Sequence, residues 1–216
     1  NTIHKISAEI NSLERLGLTT MSKVVLLAAD NAASKACANE LKKNIEQIFG
    51  LSKQNIEIKR IKGLQVHDIK ALKEQGFREL VTTILAYLID DNLNYQYDLI
   101  LNPTGGYKGV IPFVTVLGML YGKRSVYIFE HAEQLINLPP LPFSFDIDIY
   151  NRVVPALKRI DEQTAITEQE YYSCIIDYIE QEKQLFTSFI EPIGDNMVTI
   201  SPLAEVLLSI ENRNSY

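Results

Sequence analysis

Several features are scarce or missing in this 216-residue sequence, and each scarcity excludes a class of protein. Tryptophan is absent, and cysteine occurs only twice, at Cys37 and Cys174, with no CxxC spacing. Two distant cysteines favour reduced, buried thiols over a disulfide scaffold. No apolar run reaches the roughly 20 residues that span a bilayer, and no signal-peptide pattern is present. We therefore expect a cytoplasmic protein with no membrane partner.

Positive charge is also in deficit. The chain has 21 Lys and Arg residues against 27 Asp and Glu residues, which is a formal net charge of −6. Affinity for long nucleic acid depends on many Lys and Arg contacts to phosphate, so this partner is not expected. A short anionic ligand, held by backbone amides and one or two cations, remains compatible with the charge.

The common cofactor and catalytic motifs are missing. The sequence contains neither GxGxxG nor GxxxxGK[ST], so the dinucleotide fingerprint and the P-loop are absent. The three histidines, His4, His67 and His131, show no HxH or HExxH spacing, and we expect no metal and no cofactor. His131, beside Glu130, is either a general base or a loop histidine bonded to the backbone.

The first two thirds of the chain alternate strand and helix patterns. This alternation predicts an α/β fold, a Rossmann-like parallel sheet with helices on both faces, because parallel strands need crossovers. Helices are predicted at 7–17, 32–49, 68–85 with a break near Gly76, and 106–120. Strands are predicted at 24–29, buried on both faces, and at 56–61, 99–101 and 125–129.

The rest of the chain has a different pattern. A proline-rich stretch at 138–142 interrupts regular structure, and we predict a ligand-binding domain at 1–146 and a connector or dimerisation region at 147–216. This region resembles a winged-helix module, whose acidity favours dimerisation or connection over DNA binding. Its predicted elements are helices at 149–160, 168–182 and 202–210, and a hairpin of strands 186–190 and 198–200 around 194–196.

The most informative stretch is NPTGGYKG, residues 102–109, between a predicted strand and a predicted helix. A glycine turn in this position exposes backbone N–H groups to an anion. Asn102, Thr104 and Lys108 add an amide, a hydroxyl and a cation at the same strand end. Glycines at such turns can also serve tight packing alone, and Tyr107 is either a stacking surface for a base or a packing residue.

Asp30 and Asn31 are expected near this turn. They directly follow the first predicted strand, and both are good helix caps. In open parallel sheets, ligands bind at the carboxyl ends of the strands. The sequence therefore predicts that polar side chains from several strand ends share one edge of the sheet.

These motifs resemble the CRISPR-associated Rossmann-fold (CARF) proteins, in particular the subgroup with ring nucleases and the sensor halves of type III effectors. The resemblance covers roughly residues 6 to 146. Members usually begin with a strand and a Thr/Ser-containing loop ahead of the first helix seen here, and this loop contributes to the ligand pocket. It is missing here: either the chain is truncated or the segment is supplied otherwise, so we expect the set of pocket residues named below to be incomplete. The runs that resemble the subgroup are SAEINSL (7–13), VLLAAD (25–30), NPTGGYKG (102–109), LGMLY (117–121), VYIFEH (126–131) and LPPLP (138–142).

The resemblance implies a homodimer that binds a cyclic oligoadenylate, a tetramer or hexamer, across its two-fold axis. The turn's backbone N–H groups and Lys108 would meet phosphate or ribose, and the polar side chains would contact base or sugar. The ligand-binding residues that it implies are Asp30, Asn31, Asn102, Pro103, Thr104, Gly105, Gly106, Tyr107 and Lys108.

Two functions follow from the resemblance, and the sequence does not separate them. The first is a sensor that relays ligand binding to a fused or associated effector domain in antiviral defence. The alternative is a metal-independent ring nuclease, in which Lys108 would be catalytic by stabilising the charge that develops as a ribose 2′-hydroxyl attacks phosphorus. A third function, a housekeeping nucleotide-binding domain, remains open from the residues alone.

Overall fold

The structure is a computed structural model that describes residues 7–65, 67–128, 134–141, 147–194 and 196–214. The chain divides into two compact units, Asn1–Pro142 and Phe143–Tyr216. Both units mix helices with small sheets. The protein is therefore of the mixed α/β class.

The first unit contains six α-helices and four strands among its described residues. The helices are α1 (Ala8–Leu16), α2 (Ala32–Phe49), α3 (Ile69–Ala71), α4 (Phe77–Leu88), α5 (Asp91–Gln96) and α6 (Ile111–Leu120). The strands are β1 (Val24–Ala29), β2 (Ile56–Ile61), β3 (Ser125–Tyr127) and β4 (Ile136–Leu138).

The caps of α1 and α2 confirm their sequence predictions. Ser7 begins α1 by accepting a hydrogen bond from the third residue of the helix, and Asn31 begins α2 in the same way. Gly17 and Gly50 end the two helices in the left-handed conformation, at φ 70° and 66°. The prediction that Asn31 caps a helix is thus confirmed.

Strands β1 and β2 pair in parallel, from Val24 opposite Ile56 to Ala29 opposite Ile61, with α2 as the crossover. One face of the pair packs on α1 and α2. On the other face α4 packs against β2 and leaves Leu27 38% exposed. The prediction that strand 24–29 is buried on both faces is therefore wrong for the face of β1 that carries Leu27.

A second parallel contact joins the segment before the glycine turn to β3. The N–H of Leu101 donates to Arg124 O at 3.1 Å, and the N–H of Val126 donates to Leu101 O at 2.8 Å. The predicted strand at 99–101 is reduced to this single bridge. Helix α5 takes up the residues just before this segment, and Pro103 lacks the N–H that a longer ladder would need.

The described strands of this unit form two separate pairs, since β3 pairs with β4 in antiparallel orientation. Residue 129, the end of the predicted strand 125–129, lies outside the described residues. One continuous Rossmann-like sheet therefore stays a prediction.

The expected helix break near Gly76 is wrong. Gly76 has helical angles, φ −60° and ψ −46°, and a π-helical turn at Leu72–Gly76 leads directly into α4. A Cβ at Gly76 would lie 2.5 Å from the carbonyl oxygen of Gly63. The glycine therefore serves a close approach between the helix and the loop after β2.

The elements of the second unit are α7 (Ile147–Gln163), β5 (Ile166–Thr167), α8 (Glu168–Cys174), α9 (Glu180–Ser188), β6 (Ile190–Pro192), β7 (Met197–Ile200) and α10 (Pro202–Asn214). The three strands form an antiparallel sheet of order β5-β7-β6. The core of the unit includes Val153, Leu157, Phe186 and Ile200. The pairing of β6 with β7 confirms a hairpin around 194–196, although Asp195 lies outside the described residues. The first strand expected at 186–190 is wrong over most of its length, because α9 extends to Ser188 and β6 begins at Ile190.

The single helix expected at 168–182 is wrong, because two helices, α8 and α9, occupy this region. Between them, the hydroxyl of Tyr178 donates to Arg152 O at 2.8 Å, and its ring packs edge-on against Phe186. The buried carboxylate of Glu182 accepts from the N–H of Ile179 at 2.9 Å and pairs with the guanidinium of Arg152. These tertiary contacts stabilise a turn that the local pattern does not indicate.

Both cysteines are free thiols, but they are not both buried. Cys174 is partly buried, whereas Cys37 is exposed. Ala38 and Ile45, one heptad apart on α2, face the core, and this leaves Cys37 on the solvent side. Within the described ranges, no helix is both long and apolar enough to cross a membrane.

Candidate functional site

The glycine turn joins the parallel bridge at Leu101 to helix α6. A 3-10 turn at Lys108–Val110 precedes α6, so the helix begins later than the predicted start at Gly106. Gly106 has φ +87°, which a helix does not permit and which favours glycine. Among the described residues, no heavy atom beyond Gly106 itself and its two chain neighbours lies within 4 Å of the position that a Cβ would take there. The turn is therefore open on this side.

A hydrogen-bond network centred on Asn102 builds the turn. The Nδ2 of Asn102 donates to the Oγ of Ser12 at 2.8 Å. Its Oδ1 accepts from the hydroxyl of Thr104 at 2.6 Å and from the backbone N–H of Thr104 at 3.3 Å. The Oγ1 of Thr104 accepts from the N–H of Ile128 at 3.2 Å. The network therefore joins α1, the turn and the end of β3.

Ser12 is the residue of this network that sequence reasoning missed. It is fully buried, and its hydroxyl also donates to the carbonyl oxygen of Glu9 at 2.7 Å. A buried hydroxyl needs such partners, because leaving it unpaired is costly. The available signal was a serine between Ile10 and Leu13 on the apolar face of the first helix.

Two glycines of the turn receive neighbouring side chains. The carboxylate of Glu9 lies against Gly105, in the space that a Cβ there would occupy. The ring of Tyr107 folds over Gly109, with its Cζ 2.7 Å from the position of a Cβ. Tyr107 thus has the packing contact that the sequence left as one alternative. Glu9 was not predicted at the site.

The remaining residues of the turn differ in exposure. Pro103 is buried, whereas Gly106 and Lys108 are exposed. Among the residues that the structure describes, no ion pair involves Lys108. Its ammonium group is therefore accessible to an anion at the open side of the turn.

Asp30 and Asn31 have partners of their own. The carboxylate of Asp30 accepts from the guanidinium of Arg60 and from the N–H of Gly63 at 3.1 Å. The pKa of Asp30 is held below its ordinary value, first by the hydrogen bond from the Gly63 N–H and second by the hydrogen bond from Arg60. The Oδ1 of Asn31 accepts from the N–H of Ser34 at 2.8 Å. These bonds order the loops after β1 and β2.

The structure thus organises the predicted site residues in two groups. Asn102 and Thr104 bond to each other, and Asp30 and Asn31 bond to residues near the ends of β1 and β2. No hydrogen bond joins the two groups in the described part of the chain. Glu130 and His131 lie outside the described residues. In the described ranges, no cluster of three or more His, Cys, Asp or Glu side chains is arranged for a metal ion.

A protein family model matches the first two thirds of this sequence. The model, described as CRISPR-associated protein (Cas_APE2256), matches residues 4–141, well over half of the chain. The matched region contains α1, the glycine turn and β3. A comparison with curated proteins found no match.

The contact between Asn102 and Ser12 can be measured with a double-mutant cycle. We expect Asn102→Ala and Ser12→Ala each to lower the free energy of unfolding, by about 1–3 kcal/mol, because each leaves a polar partner unpaired, the buried Ser12 hydroxyl or the half-buried Asn102 amide. The double variant should lose less unfolding free energy than the two single variants lose together. The difference, the coupling energy, should be about 1 kcal/mol in urea unfolding. Asn55→Ala, whose amide bond is exposed, is the control and should cost under about 0.5 kcal/mol. Strict additivity would contradict the contact.

The titration of Asp30 tests its bond to Gly63. A carboxyl whose pKa is lowered in the folded state stabilises the fold at pH values above its ordinary pKa. This contribution is lost as the pH falls through the lowered pKa. We expect NMR titration of the folded protein to give Asp30 a midpoint below 3.8. In Arg60→Met the midpoint should rise but stay below 3.8, because the Gly63 N–H remains. A wild-type midpoint at or above 3.8 would contradict the geometry.

Proposed function

This chain belongs to the CRISPR-associated protein (Cas_APE2256) family, and from this membership we propose that it binds a cyclic oligoadenylate as the sensor part of a type III CRISPR effector. The observation that supports this proposal most directly is the open glycine turn with an exposed cation, Gly106 beside Lys108. The ligand is a tetramer or hexamer of adenylate.

We assign the first unit to the CARF domains, with a Rossmann-like arrangement. Two features support this assignment: the parallel β1-α2-β2 unit, and the parallel bridge between Leu101 and Ser125 on either side of α6. In such a fold the glycine turn lies at the carboxyl end of its strand, where ligands of open α/β sheets bind.

The ligand's phosphates are proposed to bind at the open side of the turn. Backbone N–H groups at the start of the 3-10 turn and α6 attract anions, and Lys108 adds a charge-assisted hydrogen bond. Asn102 and Thr104 then act chiefly by holding the turn in shape, since their polar atoms already bond to each other, to Ser12 and to Ile128.

A homodimer is proposed because the ligand is symmetric. A ring of four or six identical nucleotides has rotational symmetry, and two equivalent turns related by a two-fold axis can bind it through identical contacts. One turn supplies a single exposed Lys108, whereas a ring carries several phosphates. A second copy of the chain would supply the second cation.

The second unit is proposed to be a winged-helix-like module for connection or dimerisation. The order α7-β5-α8-α9-β6-β7, with the sheet order β5-β7-β6, supports this assignment. Residues 143–216 contain 13 acidic and 5 basic residues, a net charge of −8, whereas residues 1–142 contain 14 and 16, a net charge of +2. Duplex DNA would be repelled by such a module. An effector domain fused to or associated with this chain would receive the signal.

The binding proposal is tested by calorimetry with cyclic tetra-adenylate and cyclic hexa-adenylate. We expect one of the two to bind the wild-type protein, and Lys108→Ala to weaken that binding about tenfold or more, as expected for a lost hydrogen bond from a cation. Lys43→Ala, an exposed lysine on α2 that pairs with Glu40, should leave affinity unchanged. No heat with either ring would refute the proposal, and an unchanged affinity in Lys108→Ala would remove that residue from the site.

A metal-independent ring nuclease is the second candidate. The exposed ammonium of Lys108 favours it, because this cation beside a bound phosphate would stabilise the charge that develops during cleavage. Incubating the protein with labelled cyclic tetra-adenylate in EDTA separates the two functions. Linear products that disappear in Lys108→Ala would establish cleavage, whereas an intact ring after binding would establish a sensor.

A further inference from the structure

A negative charge lies inside the candidate site, on Glu9. This residue is in the first turn of α1, where the helix dipole favours a carboxylate. Its side chain lies along Gly105, in the space that any larger residue at 105 would fill. The carboxylate therefore contacts the backbone of the glycine turn itself.

The position of Glu9 relative to the turn is set by hydrogen bonds. The carbonyl oxygen of Glu9 accepts from the hydroxyl of Ser12 at 2.7 Å, and this hydroxyl accepts from the amide of Asn102 at 2.8 Å. Asn102 in turn bonds to both the backbone and the side chain of Thr104. The helical turn that carries Glu9 is thus joined to the residue that precedes Gly105.

A carboxylate accepts hydrogen bonds and repels phosphate. A phosphate of the ligand is therefore expected at Gly106 and Lys108, and Glu9 is expected to meet a donor. Adenylate has two kinds of donor, the ribose 2′-hydroxyl and the exocyclic amine of the base. The 2′-hydroxyl is on the carbon next to the one that bears the 3′-phosphate, whereas the amine is at the far edge of the base.

We propose that Glu9 accepts a hydrogen bond from a ribose 2′-hydroxyl of the ligand and so makes the site select ribonucleotide rings over deoxyribonucleotide rings. This inference rests on the proposed binding of a cyclic oligoadenylate. It adds a specificity residue on α1, outside the glycine turn, and it explains why a carboxylate is placed in a site for an anion. Gly105 supports this role, because it leaves room for the Glu9 side chain.

The test compares a cyclic oligoadenylate, in the ring size that binds the wild-type protein, with its all-2′-deoxy analogue by calorimetry. We expect the wild-type protein to prefer the ribonucleotide ring about ten- to hundredfold, as a hydrogen bond to a charged acceptor implies. In Glu9→Ala the ratio of the affinities for the ribonucleotide and deoxyribonucleotide rings should fall close to one. Most of this change should be a loss of affinity for the ribonucleotide ring. Glu9→Gln, which keeps an acceptor oxygen, should retain part of the ratio. Glu40→Ala, an exposed acidic residue on α2, is the control and should keep the whole ratio.

The outcomes separate this inference from the function on which it rests. If neither cyclic tetra-adenylate nor cyclic hexa-adenylate binds the wild-type protein, the proposed function itself is refuted. If the ribonucleotide ring binds and Glu9→Ala keeps the full preference, Glu9 does not recognise the 2′-hydroxyl. If Glu9→Ala binds both rings more tightly by the same factor, Glu9 acts as a competing anion and the inference is overturned. Circular dichroism melting of each variant establishes that it folds.

Discussion

The arrangement of the glycine turn depends on one polar contact, the hydrogen bond from the amide of Asn102 to the buried hydroxyl of Ser12. Asn102 uses its donor for α1 and its acceptor oxygen for Thr104, so one side chain sets the position of both the helix and the turn. Through Thr104 the same network reaches the end of β3 at Ile128. A partly buried network of this kind stabilises one arrangement, because a rearrangement would leave the buried Ser12 hydroxyl without its partner.

Charge is distributed unevenly at two scales. Over the chain, the excess of acidic residues lies in the second unit, and the first unit is slightly basic. Within the glycine turn, the carboxylate of Glu9 lies against Gly105, while Lys108 is exposed beside the open Gly106. The ligand proposed above carries phosphates and hydroxyl groups close together, and this pair of opposite charges supports that proposal. The net charge of −6 therefore describes neither the site nor the unit that contains it.

Several elements could be predicted because their signals are local. The Asn31 cap, the left-handed glycines that end the first two helices, and the period-two pattern of 56–61 depend on residues within one or two turns of chain. The prediction of one helix at 168–182 was wrong because Tyr178, in the turn between α8 and α9, packs on Phe186, which follows it by eight residues on α9. The prediction of a break at Gly76 was wrong because this glycine accommodates the backbone of Gly63 rather than a turn of its own.

The sequence by itself determined the glycine turn as the candidate site and the parallel pairing of β1 with β2. It also carried the family resemblance, which the match over residues 4–141 supports at the level of a CRISPR-associated protein. Only the tertiary structure decided which side chains build the turn and which remain exposed to a ligand. Asn102 and Lys108 are both polar residues of one motif, but long-range bonds engage the first and leave the second in solvent. Glu9 and Ser12 lie some 90 residues away in the chain, and folding alone places them beside the turn. Hydrogen bonds between segments so distant in sequence cannot be predicted from a local sequence pattern.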